Sequence, residues 1–119
     1  MKRLIEGNVM HVVDVDEKIV LSVTITTAED ITTLTVNGSI THDAAPEFDD
    51  ELMAILTSGR SVAVDCLSLE YISAPALNAL LDAQKYVEKK RRTFYVKNLT
   101  DAVKETFEKT GFIDLVDIR

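Results

Sequence analysis

The segment SVAVDCLSL, residues 61–69, constrains the fold most strongly, because its apolar residues occupy successive positions and not only alternate ones. A strand with this pattern is typically buried on both faces, in the middle of a sheet that other elements cover. Segments with helical spacing precede and follow it, over residues 41–59 and 75–90. The sequence therefore predicts an α/β fold with this segment as a central strand.

The first third of the chain has the pattern of antiparallel strands. IVLSVTITT, residues 19–27, alternates apolar and polar side chains, and ITTLTVNG, residues 31–38, has strand composition as well. The short turn AED at 28–30 separates the two, which predicts a β-hairpin. NVMHVVDVD at 8–16 also has strand composition, but its pattern does not say whether it pairs in the same sheet or packs elsewhere.

Helices and strands alternate in the remainder. The helix within 41–59 is predicted to end at Gly59, and Thr100 is predicted to cap a third helix that ends at Gly111. FYV at 94–96 and the tail FIDLVDIR are predicted as further strands, the tail at an edge. Such alternation predicts βαβ units with right-handed crossovers. We expect an α/β sandwich with a mixed, mainly parallel sheet that opens with a hairpin, and helices mainly on one face.

Composition and charge argue against several classes of function. The formal charge is −7, from 13 basic and 20 acidic side chains, which disfavours nucleic acid as a partner. The basic run at 89–92 is interpreted as a helix end, and the acids at 49–51 as a solvated helix face. No apolar run of about 18 residues is present, so we expect no membrane insertion and a cytoplasmic location.

Residue types and spacing also argue against catalysis. Cys66 is expected in the core, and neither His11 nor His42 has a second ligand at zinc spacing. The glycines are too scattered for a phosphate-binding loop, and Ser73 lacks the flanking glycines of a nucleophilic serine. We therefore predict no enzyme activity, no metal and no cofactor. A small-ligand carrier stays open only because α/β sheets often bind ligands at strand ends.

The turn within YISAPALNALLDAQ, residues 71–84, admits two interpretations. Ser73 is a favoured N-cap residue, and Pro75 suits the first turn of a helix, so capping is favoured over a functional hydroxyl. The small side chains of Ala74 and Ala76 are not needed for a cap. They are expected to leave the turn low and open to the close approach of a partner.

Two segments resemble a known family, the STAS domain of bacterial anti-sigma factor antagonists. They are VNGSITHDAAPEFDDEL, residues 36–52, and VAVDCLSLEYISAPALNALL, residues 62–81. The resemblance covers about residues 18–118. It divides the chain into an N-terminal extension, 1–17, with a candidate extra strand, and a STAS-like domain, 18–119.

The resemblance also implies how the turn is regulated. Family members that are phosphorylated carry the motif D-S-S-G-L, which aligns with residues 73–77 and places Pro75 at the acceptor position. Proline accepts no phosphoryl group, and the Ser73 hydroxyl is out of register. We therefore expect no phosphorylation here.

What the resemblance implies about function is docking at one end of the sheet. The partner would be an anti-sigma factor or a kinase-like protein. The alternative is an accessory STAS subunit of a membrane transporter or a stress-signalling assembly, with a homodimer through residues 1–17 as a further expectation. The predicted partner-binding residues are Ser39, Thr41, His42, Asp43, Ser73, Ala74, Pro75, Ala76, Leu77 and Asn78.

Overall fold

The computed structural model describes all 119 residues and contains six strands and three helices. The strands are β1 (Lys2–Glu6), β2 (Val9–Val13), β3 (Ile19–Ala28), β4 (Ile31–Ile40), β5 (Ser61–Ile72) and β6 (Phe94–Lys97). The helices are α1 (Ala45–Thr57), α2 (Ala74–Glu88) and α3 (Asp101–Thr110), and a short 3-10 turn, Phe112–Asp114, follows them. The predicted α/β class is confirmed.

The six strands form one sheet in sequence order. β1 to β4 are antiparallel neighbours, whereas β5 and β6 continue the sheet in parallel. The sheet is mixed, as predicted, but it is not mainly parallel. Residues 1–17 supply two hairpin-connected strands to it, and the sequence pattern had left their pairing open. The tail adds only an isolated bridge, Val96 to Ile118, in place of a full edge strand.

Alternating burial in β4 shows that the sheet is covered on one face and largely open on the other. Leu34 and Val36 of β4 are fully buried, whereas Thr33 and Thr35 between them are half-buried. The buried face carries the apolar side chains that α1 and α2 cover. The predicted burial of the 61–69 segment on both faces holds from Val62 to Val64 and fails at Leu67, which is 66% exposed. The reason is that this part of β5 lies on an open face, next to a register shift against β4.

The core is a single cluster of 28 buried residues that draws on nearly every element. α1 contributes Phe48, Leu52 and Leu56, and α2 contributes Leu77 and Leu80. Each such side chain stabilises the fold by about 1.5–3 kcal/mol through burial alone. β2 reaches the same core through residues of the N-terminal extension, so the extension shares the hydrophobic core of the rest of the chain.

Both ends of α3 have the capping residues that the sequence predicts. The Thr100 hydroxyl accepts a hydrogen bond from the backbone N–H of Val103 at 3.4 Å. Gly111 takes the left-handed conformation that ends the helix, with φ of 80°. Both helix ends are fixed within a few residues along the chain, so they could be predicted without knowledge of the tertiary fold.

Gly38 of β4 gives a direct test of how closely β3 and β4 approach. Its φ is 107°, and an added Cβ would lie 2.5 Å from the carbonyl oxygen of Val20. Gly59 has a similar φ of 103°, but an added Cβ there meets nothing within 4 Å. We expect Gly38→Ala to lower the free energy of unfolding by about 2–5 kcal/mol, from backbone strain plus the clash. Gly59→Ala should lose only the strain, about 1–2 kcal/mol.

Urea denaturation of both glycine variants measures the difference. Equal losses in the two variants would contradict the close approach of Gly38 to Val20.

Candidate functional site

The candidate site forms where the parallel strands β4 and β5 end side by side. Ser39 lies opposite Tyr71, and Ile40 lies opposite Ile72. The backbone N–H of Ser73 then donates to the carbonyl oxygen of Ile40 at 2.9 Å. This pairing brings the two predicted segments, the loop at 39–43 and the turn at 73–78, to one end of the sheet, as expected. We call this end the docking pole.

The loop of the docking pole is held by Thr41. Its hydroxyl accepts from the Ala44 N–H at 3.1 Å, and its carbonyl accepts from the Ala45 N–H at 3.0 Å. Both bonds lie at the start of α1, so the loop has a defined shape. His42 and Asp43 form its exposed tip, whereas Thr41 and Ser39 are half-buried. Only the tip can make extensive contact with another molecule.

Three of the predicted contact residues in the turn are core residues. Ser73, Ala76 and Leu77 are 3%, 0% and 1% exposed. Their spacing, i, i+3 and i+4, places them on the helix face that meets the core. They were predicted to touch a partner, but in the free chain their side chains are enclosed by the core, and the same spacing in the sequence was the signal for this burial. The outer face of the turn consists of Ala74 and Asn78, which are exposed, and Pro75, which is half-buried.

Ser73 occupies the N-cap position of α2, but its side chain does not cap the helix. Its backbone is extended, as a cap requires, with ψ of 165°. The hydroxyl oxygen, however, is buried and has no hydrogen-bond partner. The predicted side-chain cap is therefore wrong. The first turn of α2 contains Pro75, and its first backbone hydrogen bond runs from the Leu77 N–H to the Ser73 carbonyl at 3.0 Å.

The N-terminal extension borders the docking pole, which the sequence did not indicate. A shallow groove of about 430 Å³ lies between the extension and the loop tip. Val15, on the extension side, is 96% exposed. No local signal could have placed it there, because β2 reaches this end only through its pairing with β3. The groove is lined by Met1, Asp14, Val15, His42, Asp43 and Pro46.

Tyr71 adds an exposed aromatic ring beside the turn. Tyr71 is 54% exposed, because the next residue of β5, Ile72, faces the core and neighbouring residues of a strand point to opposite faces. Aromatic side chains are enriched at the centres of protein interfaces. Strict alternation from the buried Leu69 would have placed Tyr71 on the covered face, and the register shift between Gly38 and Ser39 is what turns it outward.

The acids of α1 are not all solvated as predicted. Asp50 is exposed, but the Oδ1 of Asp49 is enclosed and has no hydrogen-bond partner. Burial raises the pKa of Asp49, and the nearby carboxylates of Asp82 and Asp50 add to the shift. Because the folded chain disfavours the charged form of Asp49, its raised pKa makes the folded state less stable as the pH rises above the ordinary titration range of an aspartate. Glu51 and Glu47 instead pair with Arg3 of β1, at 3.9 and 2.8 Å.

The thiol of Cys66 is unsuited to chemistry. Burial, with a smaller effect from the Asp65 carboxylate, raises its pKa to about 12. A nucleophilic cysteine needs a lowered pKa and access to solvent. The predicted core role of Cys66 is confirmed by its 1% exposure.

None of the helices is both long and apolar enough to cross a lipid bilayer.

Comparison with known proteins identifies the fold and then the family. The fold is that of two anti-sigma factor antagonists of known structure. One, from Mycobacterium paratuberculosis, superposes with a TM-score of 0.73 at 17% identity, over 90% of this chain and 89% of that one. The other, a putative antagonist from Thermotoga maritima, gives a TM-score of 0.74 at 16% identity, over 81% and 84%.

A transporter-related structure has the same fold. A sulfate transporter family protein from Wolinella succinogenes gives a TM-score of 0.61 at 16% identity, over 85% of this chain and 77% of that one.

Residues 23–117 match the family model described as "Mlab, STAS domain". The chain therefore belongs to the STAS domain family, as its sequence resemblance indicated. The sequence matches none of the curated proteins with which it was compared.

Ser73→Ala tests the orphan hydroxyl. Removal of a buried hydroxyl without a partner removes a desolvation penalty, so we expect stability to stay the same or to rise by about 1 kcal/mol. The matched control is Thr100→Ala, which removes the side-chain cap of α3 and should cost about 1 kcal/mol. Chemical denaturation of the two variants measures both effects. A loss at Ser73 as large as the loss at Thr100 would show that Ser73 caps α2 after all.

Proposed function

We propose that this protein is a non-catalytic binding module of the anti-sigma factor antagonist type, which acts in a bacterial partner-switching pathway. Its partner would be an anti-sigma factor or a kinase-like protein, bound in the cytoplasm. The observation that carries the proposal is the docking pole, where the Ser73-to-Ile40 hydrogen bond joins the loop and the turn into one surface. The likeness to two antagonists of known structure supports the same class of function.

The exposed residues of the docking pole favour close contact with another protein. Ala74 projects only a methyl group, so a partner can approach the backbone at the start of α2. The N–H of Ala74 has no intrahelical acceptor and can donate to a carbonyl or carboxylate oxygen of the partner. Pro75 has no N–H, and the Leu77 N–H already donates to the Ser73 carbonyl. Asp14 and Asp43 of the adjoining groove favour basic side chains on the partner's rim. We expect the contact to centre on this helix start.

We propose that the turn of this protein is not controlled by phosphorylation. Pro75 stands at the acceptor position that the family motif implies, and the Ser73 hydroxyl is only 3% exposed. Phosphorylation elsewhere in the family adds charge and bulk that repel the partner. In this protein, release of the partner would come from competition, from assembly or from changes in protein level.

A second function is an accessory subunit of a membrane transporter or a stress-signalling assembly. The sulfate transporter family structure favours it, because it connects the STAS fold with a protein other than an anti-sigma antagonist. The extension supports assembly as well, since β1 lies at the edge of the sheet and all five of its residues are exposed. In this role the extension would also hold a homodimer together.

Ala74→Glu is the test of docking at the pole. A glutamate in the first turn is compatible with the helix dipole, so the fold should be retained while the approach of a partner is blocked. We expect recovery of an anti-sigma or kinase-like partner in a pull-down to fall by about tenfold, a loss near 1.4 kcal/mol. The matched control is Ala102→Glu, which makes the same change at an exposed position in the first turn of α3.

Equal recovery of the partner by wild type and by the Ala74→Glu protein would contradict docking at the pole. Recovery of a transporter subunit in place of a kinase-like protein would favour the second function.

A further inference from the structure

β1 leaves the sheet with an open edge. It pairs with β2 on one side only, and its register shows neither a bulge nor a shift. Its five residues, KRLIE, are all exposed, with Leu4 and Ile5 at 42% and 64%. Natural edge strands are usually protected by proline, a bulge, a covering element or charged side chains. This strand has only charged side chains, and their order along the strand is specific.

The charges of β1 have opposite signs at its two ends. Lys2 and Glu6 lie on the same sheet face as Leu4, since side chains alternate along a strand. An antiparallel pairing of β1 with a second β1, centred on Leu4, places Lys2 opposite Glu6 at both ends. Leu4 then meets Leu4 on the symmetry axis. We propose that β1 pairs in this register with β1 of a second copy of the chain, and that the two sheets become continuous.

Neighbouring registers lack this complementarity. Centring on Arg3 places the two Arg3 residues opposite each other, and like charges directly opposite are destabilising. Centring on Ile5 places Leu4 opposite Glu6 and Arg3 opposite Gly7, which leaves Lys2 beyond the paired strands. Among these three two-fold registers, only the one centred on Leu4 pairs both opposite charges.

The other face of the paired strands is also compatible. In the register centred on Leu4, Arg3 of one copy lies opposite Ile5 of the other. The guanidinium of Arg3 is held toward α1 by Glu47 at 2.8 Å. Its aliphatic stem is therefore available to cover the exposed Ile5, as long basic side chains do when they lie along apolar surface.

A five-residue edge forms a small interface compared with the roughly 1,200–2,000 Å² of stable complexes. The dimer is therefore weak and dissociates on dilution. Dimerisation through β1 is independent of docking at the pole, because the partner surface there comprises the loop tip and the start of α2. Either can fail without the other.

Cysteine cross-linking captures a weak dimer and reads its register. Residues directly opposite have Cβ atoms about 4.5–5.5 Å apart, whereas diagonal neighbours are about 7–8 Å apart. Under mild oxidation we expect Leu4→Cys to form a disulfide-linked dimer and Ile5→Cys to form little, because a disulfide requires close Cβ atoms. Cys66 gives no background, since it is 1% exposed. Equal cross-linking at both positions would overturn the proposed register.

A charge swap tests the same register without a covalent bond. Lys2→Glu alone and Glu6→Lys alone each place like charges opposite one another, so both should reduce the dimer fraction several-fold in sedimentation velocity. The double variant restores opposite pairs and should recover the wild-type dimer. A wild type that stays monomeric at every concentration, or a double variant that stays dissociated, overturns the proposal. Unchanged thermal midpoints verify that all variants are folded.

Discussion

The parallel pairing of β4 with β5 is the constraint on which the rest of the structure depends. It joins the antiparallel strands of the first part of the chain to the βα units of the second part, and it forms the centre of the core. Because both strands run in the same direction, their ends deliver the loop to α1 and the turn to α2 at one edge. The hydrogen bond from Ser73 to Ile40 closes this arrangement. The docking pole is therefore a direct result of sheet topology.

Features coded within a few residues could be predicted from the sequence. The hairpin at 28–31, the cap at Thr100 and the helix end at Gly111 are local, and the structure has all three. β1 was missed, because KRLIE has no strand signature and depends on pairing with β2. The Ser73 cap was predicted wrongly, because burial by the surrounding core orients its hydroxyl, and no local pattern reports that.

The two surfaces of the protein suit different kinds of contact. The docking pole combines a shaped loop tip, a methyl-only helix start and an aromatic side chain, which suit a partner of complementary shape. The β1 edge offers backbone groups and paired charges, which suit a second copy of the chain. Between them lies the groove beside Val15, so the N-terminal extension contributes to both surfaces. Assembly through β1 would thus present two docking poles in one particle.

Hydrogen–deuterium exchange of the chain, free and bound to its captured partner, tests the central claim most directly. First-turn amides lack intrahelical acceptors, so in the free protein those that are also exposed should exchange quickly. We predict that binding slows exchange at residues 41–44 and 74–78, with little change at 89–97. Protection confined to α3 or β6, with the docking pole unchanged, would contradict it.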